Sequence, residues 1–117
     1  MNNNQTALIR IFKALSDENR LTILSLIYKN EARCRCDKKE ECLDETCIKN
    51  LSDSLSISLP TTSHHIKELV NAGLITTKKK GRWVYCQINR KVFAQACEFL
   101  NRFSKEVRYE ENRQRKK

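Results

Sequence analysis

Glycine and proline are scarce: only two Gly and one Pro occur among 117 residues. That scarcity excludes collagen-like and Gly-rich-loop architectures and disfavours a turn-dense all-β chain. No apolar run approaches the roughly 18 residues that a bilayer span requires, so no membrane partner is expected. The opening Met1-Asn2-Asn3-Asn4-Gln5 lacks the basic-then-apolar pattern of a secretory signal, and a cytoplasmic location is the expectation. Acid is also short. Against 23 Lys and Arg stand 14 Asp and Glu, a formal net charge of +9. The excess points to a polyanionic partner, nucleic acid before membrane. Hydrophobic residues make up 39%, enough to build a core and to exclude full disorder. The length suits one domain. In a chain expected inside the cell, six cysteines read as thiols or metal ligands rather than as a disulfide framework.

Apolar periodicity then orders the chain. Leu8, Ile11, Phe12 and Leu15 recur at helical spacing and predict a first helix over 6–15. Ser16 or Asp17 can cap a second helix that runs to about Tyr28, with Leu21, Leu24, Ile27 and Tyr28 on its buried side. Ile48, Leu51 and Leu55 predict a short third helix ending near Ser56. Ser58 is a candidate N-cap with Pro60 in the first turn, opening a helix whose inner side carries Thr62, Ile66, Leu69 and Val70 and which Ala72-Gly73 ends. Strands are predicted over 75–79 and 82–88 around a tight turn at Lys80-Gly81. A long last helix follows over 92–111, with Phe93, Ala96, Cys97, Leu100, Phe103 and Val107 as its stripe. The fold class is therefore mainly α with a β-hairpin wing, a winged helix-turn-helix. Residues 1–111 form its single domain, and 112–117 form a basic tail.

Between Glu31 and Glu45 the periodicity disappears. The acids Glu31, Asp37, Glu40, Glu41, Asp44 and Glu45 outnumber the bases Arg33, Arg35, Lys38 and Lys39, against the trend of the whole chain. A segment so polar cannot order itself by burial. It carries Cys34, Cys36 and Cys42, and Cys47 follows at the start of the third helix.

Four stretches together resemble the ArsR/SmtB repressors. They are Phe12-Lys13-Ala14-Leu15-Ser16-Asp17-Glu18-Asn19-Arg20-Leu21-Thr22-Ile23-Leu24, Ser58-Leu59-Pro60-Thr61-Thr62-Ser63-His64-His65-Ile66-Lys67-Glu68-Leu69, Ala72-Gly73-Leu74-Ile75 and Gly81-Arg82-Trp83-Val84-Tyr85. The resemblance covers nearly the whole chain outside the charged stretch. It implies a homodimer, paired through the first and last helices, that binds a palindromic operator in double-stranded DNA and leaves it when a metal or metalloid binds. The sequence departs from the family pattern at the third helix. There Cys47-Ile48-Lys49 supplies only the first sulfur of the usual Cys-x-Cys, and a Cys-rich insertion over 31–47 lies before it. The family's zinc-type site on the last helix needs Asp and His, and neither occurs from Val92 to Val107.

A helix that enters the major groove must offer hydrogen-bonding groups on its solvent face. With Thr62, Ile66, Leu69 and Val70 inward, that face presents Thr61, His64, Lys67 and Glu68, flanked by Ser63 and His65. The hairpin adds Lys78, Lys79, Lys80 and Arg82, and no acid occurs from Thr76 to Lys91. Such a wing suits phosphate and minor-groove contact. A charge run can also be no more than a solvated face.

Cys34, Cys36, Cys42 and Cys47 form the candidate metal set. Soft ions such as As(III), Sb(III), Cd(II), Pb(II), Zn(II) and Cu(I) select thiolate sulfur. Readings left open beside a reversible sensor are a redox switch on the same fold, a structural zinc knot, and a loop with incidental cysteines. Cys86 alternates with Val84 and Ile88 and reads as core packing, while Cys97 reads as a dimer contact. A thiol enzyme is not expected: no Cys lies beside a His or in a Cys-x-x-Cys pair.

Overall fold

Asp17 accepts the backbone N–H of Arg20 at 3.1 Å and so caps the second helix, a cap that fixes the sharp corner between the first two elements. The computed structural model describes residues 3–33 and 47–106. The elements are helices α1 (Asn3–Leu15), α2 (Glu18–Arg33), α3 (Ile48–Leu55) and α4 (Leu59–Asn71), strands β1 (Ile75–Lys80) and β2 (Trp83–Ile88), and helix α5 (Arg90–Ser104). This is a winged helix-turn-helix, mostly helical with one two-stranded antiparallel hairpin.

Caps and turns follow from residue chemistry. Ser58 accepts the Thr61 N–H at 3.2 Å and starts α4, with Pro60 in the first turn where its missing N–H is harmless. At the other end Leu74 N–H bonds to Leu69 C=O at 3.0 Å and Gly73 N–H to Val70 C=O at 2.9 Å. This paired closure requires a left-handed residue, and Gly73 supplies it with φ +80°. Between α3 and α4, Ser56 occupies the same region without being glycine, at φ 56°. The wing closes through a two-residue loop, Gly81-Arg82, between the paired Lys80 and Trp83. Gly81 at φ +62° provides the twist that such hairpin loops need.

The core gathers Ile11, Ile23, Ile27, Leu51, Ile66, Leu69, Leu74 and Ile75 under the helix-turn-helix. Each such side chain contributes about 1.5–3 kcal/mol relative to exposure. Both α2 and α3 pack on β2. That double cover explains why neighbouring residues Tyr85 and Cys86 are both buried, although they point to opposite faces of the strand.

Three sequence expectations are corrected. Helix α2 continues past Tyr28 to Arg33, because Asn30 is buried and Glu31 is held by the far end of the wing. Leu21, Tyr28 and Val70, expected inward, are exposed, and Ile23 takes the inner position on α2. Helix α5 starts at Arg90 and its last turn closes at Ser104, whose hydroxyl donates to Asn101 C=O at 2.9 Å. Val107 and the basic tail 112–117 lie outside the described residues.

Candidate nucleic-acid interface and thiol site

Helix α4 presents Thr61, Ser63, His64 and Lys67 to solvent, as the periodicity predicts. Thr61 is oriented by the cap itself, since the Ser58 hydroxyl donates to its Oγ1 at 2.8 Å. On the inner side Thr62 donates to Ser58 C=O at 3.0 Å, so its hydroxyl is buried without penalty.

His65 is a correction. Expected at the flank of the solvent face, it is 8% exposed and turned against the start of α2. Its Nδ1 lies 3.3 Å from Arg20 Nη1 and 3.9 Å from Asp17 Oδ1. Guanidinium can only donate, so the contact with Arg20 uses Nδ1 as an acceptor when the ring is neutral. Arg20 in turn donates through Nε to Ala14 C=O at 2.7 Å, and through Nη2 it reaches Lys13 C=O at 3.5 Å. One cation thus closes the carbonyl end of α1 and braces the reading helix. The backbone hydrogen bond from Arg20, more than the charges of His65 and Arg20, holds the Asp17 carboxyl below its ordinary value of 3.8. Sequence reading found Arg20 only as a member of a family-like stretch, not as this brace.

The wing carries Lys78, Lys79, Lys80 and Arg82, all exposed. The Arg82 guanidinium lies over the Trp83 ring at 5.1 Å from its centroid, which stiffens the hairpin tip.

Of the four cysteines in the candidate metal set, Cys34, Cys36 and Cys42 lie outside the described residues. Cys47 is the N-cap of α3: its Sγ accepts the Asn50 N–H at 3.4 Å. Its backbone is extended and forms an antiparallel bridge with Tyr85 of β2. That bridge sets Cys47 opposite Tyr85, the residue before Cys86 on β2. Cys47 is 5% and Cys86 1% exposed. Burial first, and then the negative charge Cys47 can carry, push the Cys86 thiol up to about 12. Among the described residues no group of three or more His, Cys, Asp or Glu gathers as a metal site. A complete donor set around Cys47 therefore needs further sulfur from outside them. Cys97 is exposed on α5.

Residues 40–77 match the family model described as bacterial regulatory protein, arsR family. The arsenical resistance operon repressor of Staphylococcus aureus is 36% identical over 91 residues, spanning 78% of this chain and 74% of that one. The chain belongs to the ArsR family. It is accordingly a DNA-binding transcriptional regulator and not an enzyme. A second relative, the cadmium resistance transcriptional regulatory protein CadC of Listeria innocua, is 34% identical over 96 residues, covering 82% of this chain and 70% of its own. An ArsR-like transcriptional regulator from Rhodococcus shares the fold at TM-score 0.67 and 23% identity, over 97% of this chain and 90% of that one. Among the described residues no helix is long and apolar enough to cross a membrane.

Proposed function

We propose that the protein is a homodimeric repressor that lets go of its operator when a thiophilic metal or metalloid ion binds Cys34, Cys36, Cys42 and Cys47. The observation that carries this reading is the position of Cys47. Its sulfur caps the helix that braces α4, and its backbone is bridged to the strand that carries the wing. A thiolate engaged by an ion can no longer serve the Asn50 N–H in the same way, so ligation bears directly on the first turn of α3. Ion and DNA then favour different settings of the reading head, which is the coupling that release requires. The thiolates suit As(III), Sb(III), Cd(II), Pb(II), Zn(II) or Cu(I). The relatives named for arsenical and cadmium resistance support that class of inducer without selecting one ion.

On the DNA side, Thr61, Ser63, His64 and Lys67 meet base edges and phosphates in the major groove, while Lys78, Lys79, Lys80 and Arg82 hold the adjacent backbone. Dimerisation uses α1 and α5. Leu100 and Phe103 are 51% and 74% exposed in the single chain, an apolar surface that a second copy would cover. Twofold pairing would set the two α4 helices about one DNA turn apart.

The test is release of a labelled duplex carrying the promoter of the protein's own gene. It is measured by fluorescence anisotropy against each of these ions under reducing conditions. Release by at least one ion, lost in the Cys→Ser variants, is the expected result. Release only after oxidant treatment would replace this reading with the redox switch.

A further inference from the structure

We infer that Arg20 is a positioning residue that sets the half-site spacing the protein accepts in its operator. The inference rests on the proposed pairing through α1 and reading by α4. The observation behind it is one guanidinium that holds both of those helices. Arg20 Nε donates to Ala14 C=O at 2.7 Å and Nη2 to Lys13 C=O at 3.5 Å, both in the last turn of α1. From the same planar group Nη1 meets Nδ1 of His65, 45 residues away on α4, at 3.3 Å. Asp17, the cap of α2, stands 3.9 Å from that ring nitrogen. A residue that only closed the end of α1 would need no partner on the reading helix.

Ile11 and Ala14 of α1 share one buried cluster with Ile66 and Leu69 of α4. Apolar burial is non-directional, so it holds the two helices together without selecting one angle between them. A guanidinium fork has fixed geometry and does select. In a twofold pair any tilt of α4 against α1 is repeated in the partner, so an error in one head is doubled between the heads. Arg20 therefore bears on the distance and angle between two reading helices rather than on what each one touches.

The test uses the full chain, kept reduced, and a labelled duplex carrying the promoter of the protein's own gene, its palindrome first located by footprinting. Two further duplexes insert or delete one base pair between the half-sites, which shifts them by about 3.4 Å and turns them by about 35°. Anisotropy titrations give the affinity ratio of native over altered spacing. The parent should favour native spacing roughly tenfold or more. Arg20→Lys keeps the charge but not the fork. It should lower that ratio by about threefold or more, while affinity for a duplex with one half-site changes by less than about twofold. His65→Asn, which keeps an acceptor near the place of Nδ1, should hold the parent's ratio, and His65→Leu should lower it as Arg20→Lys does. An Arg20 that only stabilises the fold would lower the melting temperature and leave the ratio unchanged, and that result overturns the inference. So does a parent ratio near one, equal ratios for His65→Asn and His65→Leu, or sedimentation that finds Arg20→Lys monomeric. The His65 pair reads the same contact with Arg20 in place, so misfolding of Arg20→Lys does not rescue the idea. Failure of the unsubstituted protein to bind its promoter sinks the proposed function and this inference with it, whereas binding with a ratio indifferent to Arg20 sinks this inference alone.

Discussion

Glu31 and Ile88 are joined by a hydrogen bond of 2.9 Å, from the backbone N–H of Ile88 to Glu31 Oε2. The other carboxylate oxygen holds Arg90 at 3.0 Å. The last turn of α2 is thereby pinned to the seam where β2 becomes α5. Since Cys47 is bridged to Tyr85, both flanks of the Cys-rich insertion stand on the same wing strand.

The two bonds made by Glu31 differ in worth. Arg90 is exposed, so its ion pair contributes under about 1 kcal/mol. Removing the acceptor of the partly buried Ile88 N–H costs about 1–3 kcal/mol. Urea unfolding should therefore rank Glu31→Ala well below Arg90→Ala in stability. Glu31→Gln, which keeps an acceptor oxygen, should fall between them. Equal losses for Glu31→Ala and Arg90→Ala would show that the backbone bond is not the dominant contact.

Adjacent histidines on α4 should behave oppositely. His64 is exposed on the face proposed to meet DNA, so His64→Ala should weaken operator binding by about 1–2 kcal/mol, roughly 5- to 30-fold, with an unchanged melting temperature. His65 meets Arg20 at 3.3 Å in a buried position, and His65→Ala should lower the melting temperature. Thermal melts beside anisotropy titrations separate the two. If His65→Ala melts like the parent, the Arg20 brace is not holding the helix.

What the sequence shows and what it hides divide along a physical line. Caps, turns and stripes depend on neighbours within a few residues. Ser58, Gly73, Gly81 and the exposed row Thr61, Ser63, His64 and Lys67 were accordingly legible without coordinates. His65 was misassigned because helical periodicity gives a residue's angle around the axis but not the reach of a distant side chain. Arg20 supplies that reach from another element. Glu31 was hidden for a related reason: a carboxylate in a charged run looks solvated until a backbone donor from the far end of the chain arrives. The bridge between Cys47 and Tyr85 required knowing that α3 starts against β2. Ser56 in the left-handed region gave no compositional sign at all.

Acid should expose the cap at Asp17. Its carboxyl titrates below the ordinary 3.8, chiefly because it accepts the Arg20 N–H. A group whose value is lower in the folded chain stabilises above the unfolded value, and that contribution is lost as pH falls through the folded one. Replacing the cap by Ala costs about 0.5–2 kcal/mol when the carboxylate is charged. The stability gap between parent and Asp17→Ala should thus be full at pH 6 and shrink below pH 4. Denaturant midpoints at pH 6 and pH 3 check this, and a gap that widens in acid would reverse the assigned sign.

Cys47 serves two roles that substitution can separate. As an N-cap it accepts the Asn50 N–H at 3.4 Å, a function that a serine hydroxyl performs at least as well. As a soft donor it has no oxygen equivalent. Cys47→Ser should accordingly keep the melting temperature within a few degrees of the parent and retain operator affinity, while the ion concentration needed for release rises at least tenfold. Cys47→Ala lacks both roles and should also lose about 0.5–2 kcal/mol of stability. Melting curves and release titrations on the same three proteins decide the matter. Should Cys47→Ser respond to every ion as the parent does, the sulfur at the head of α3 is a cap and nothing more.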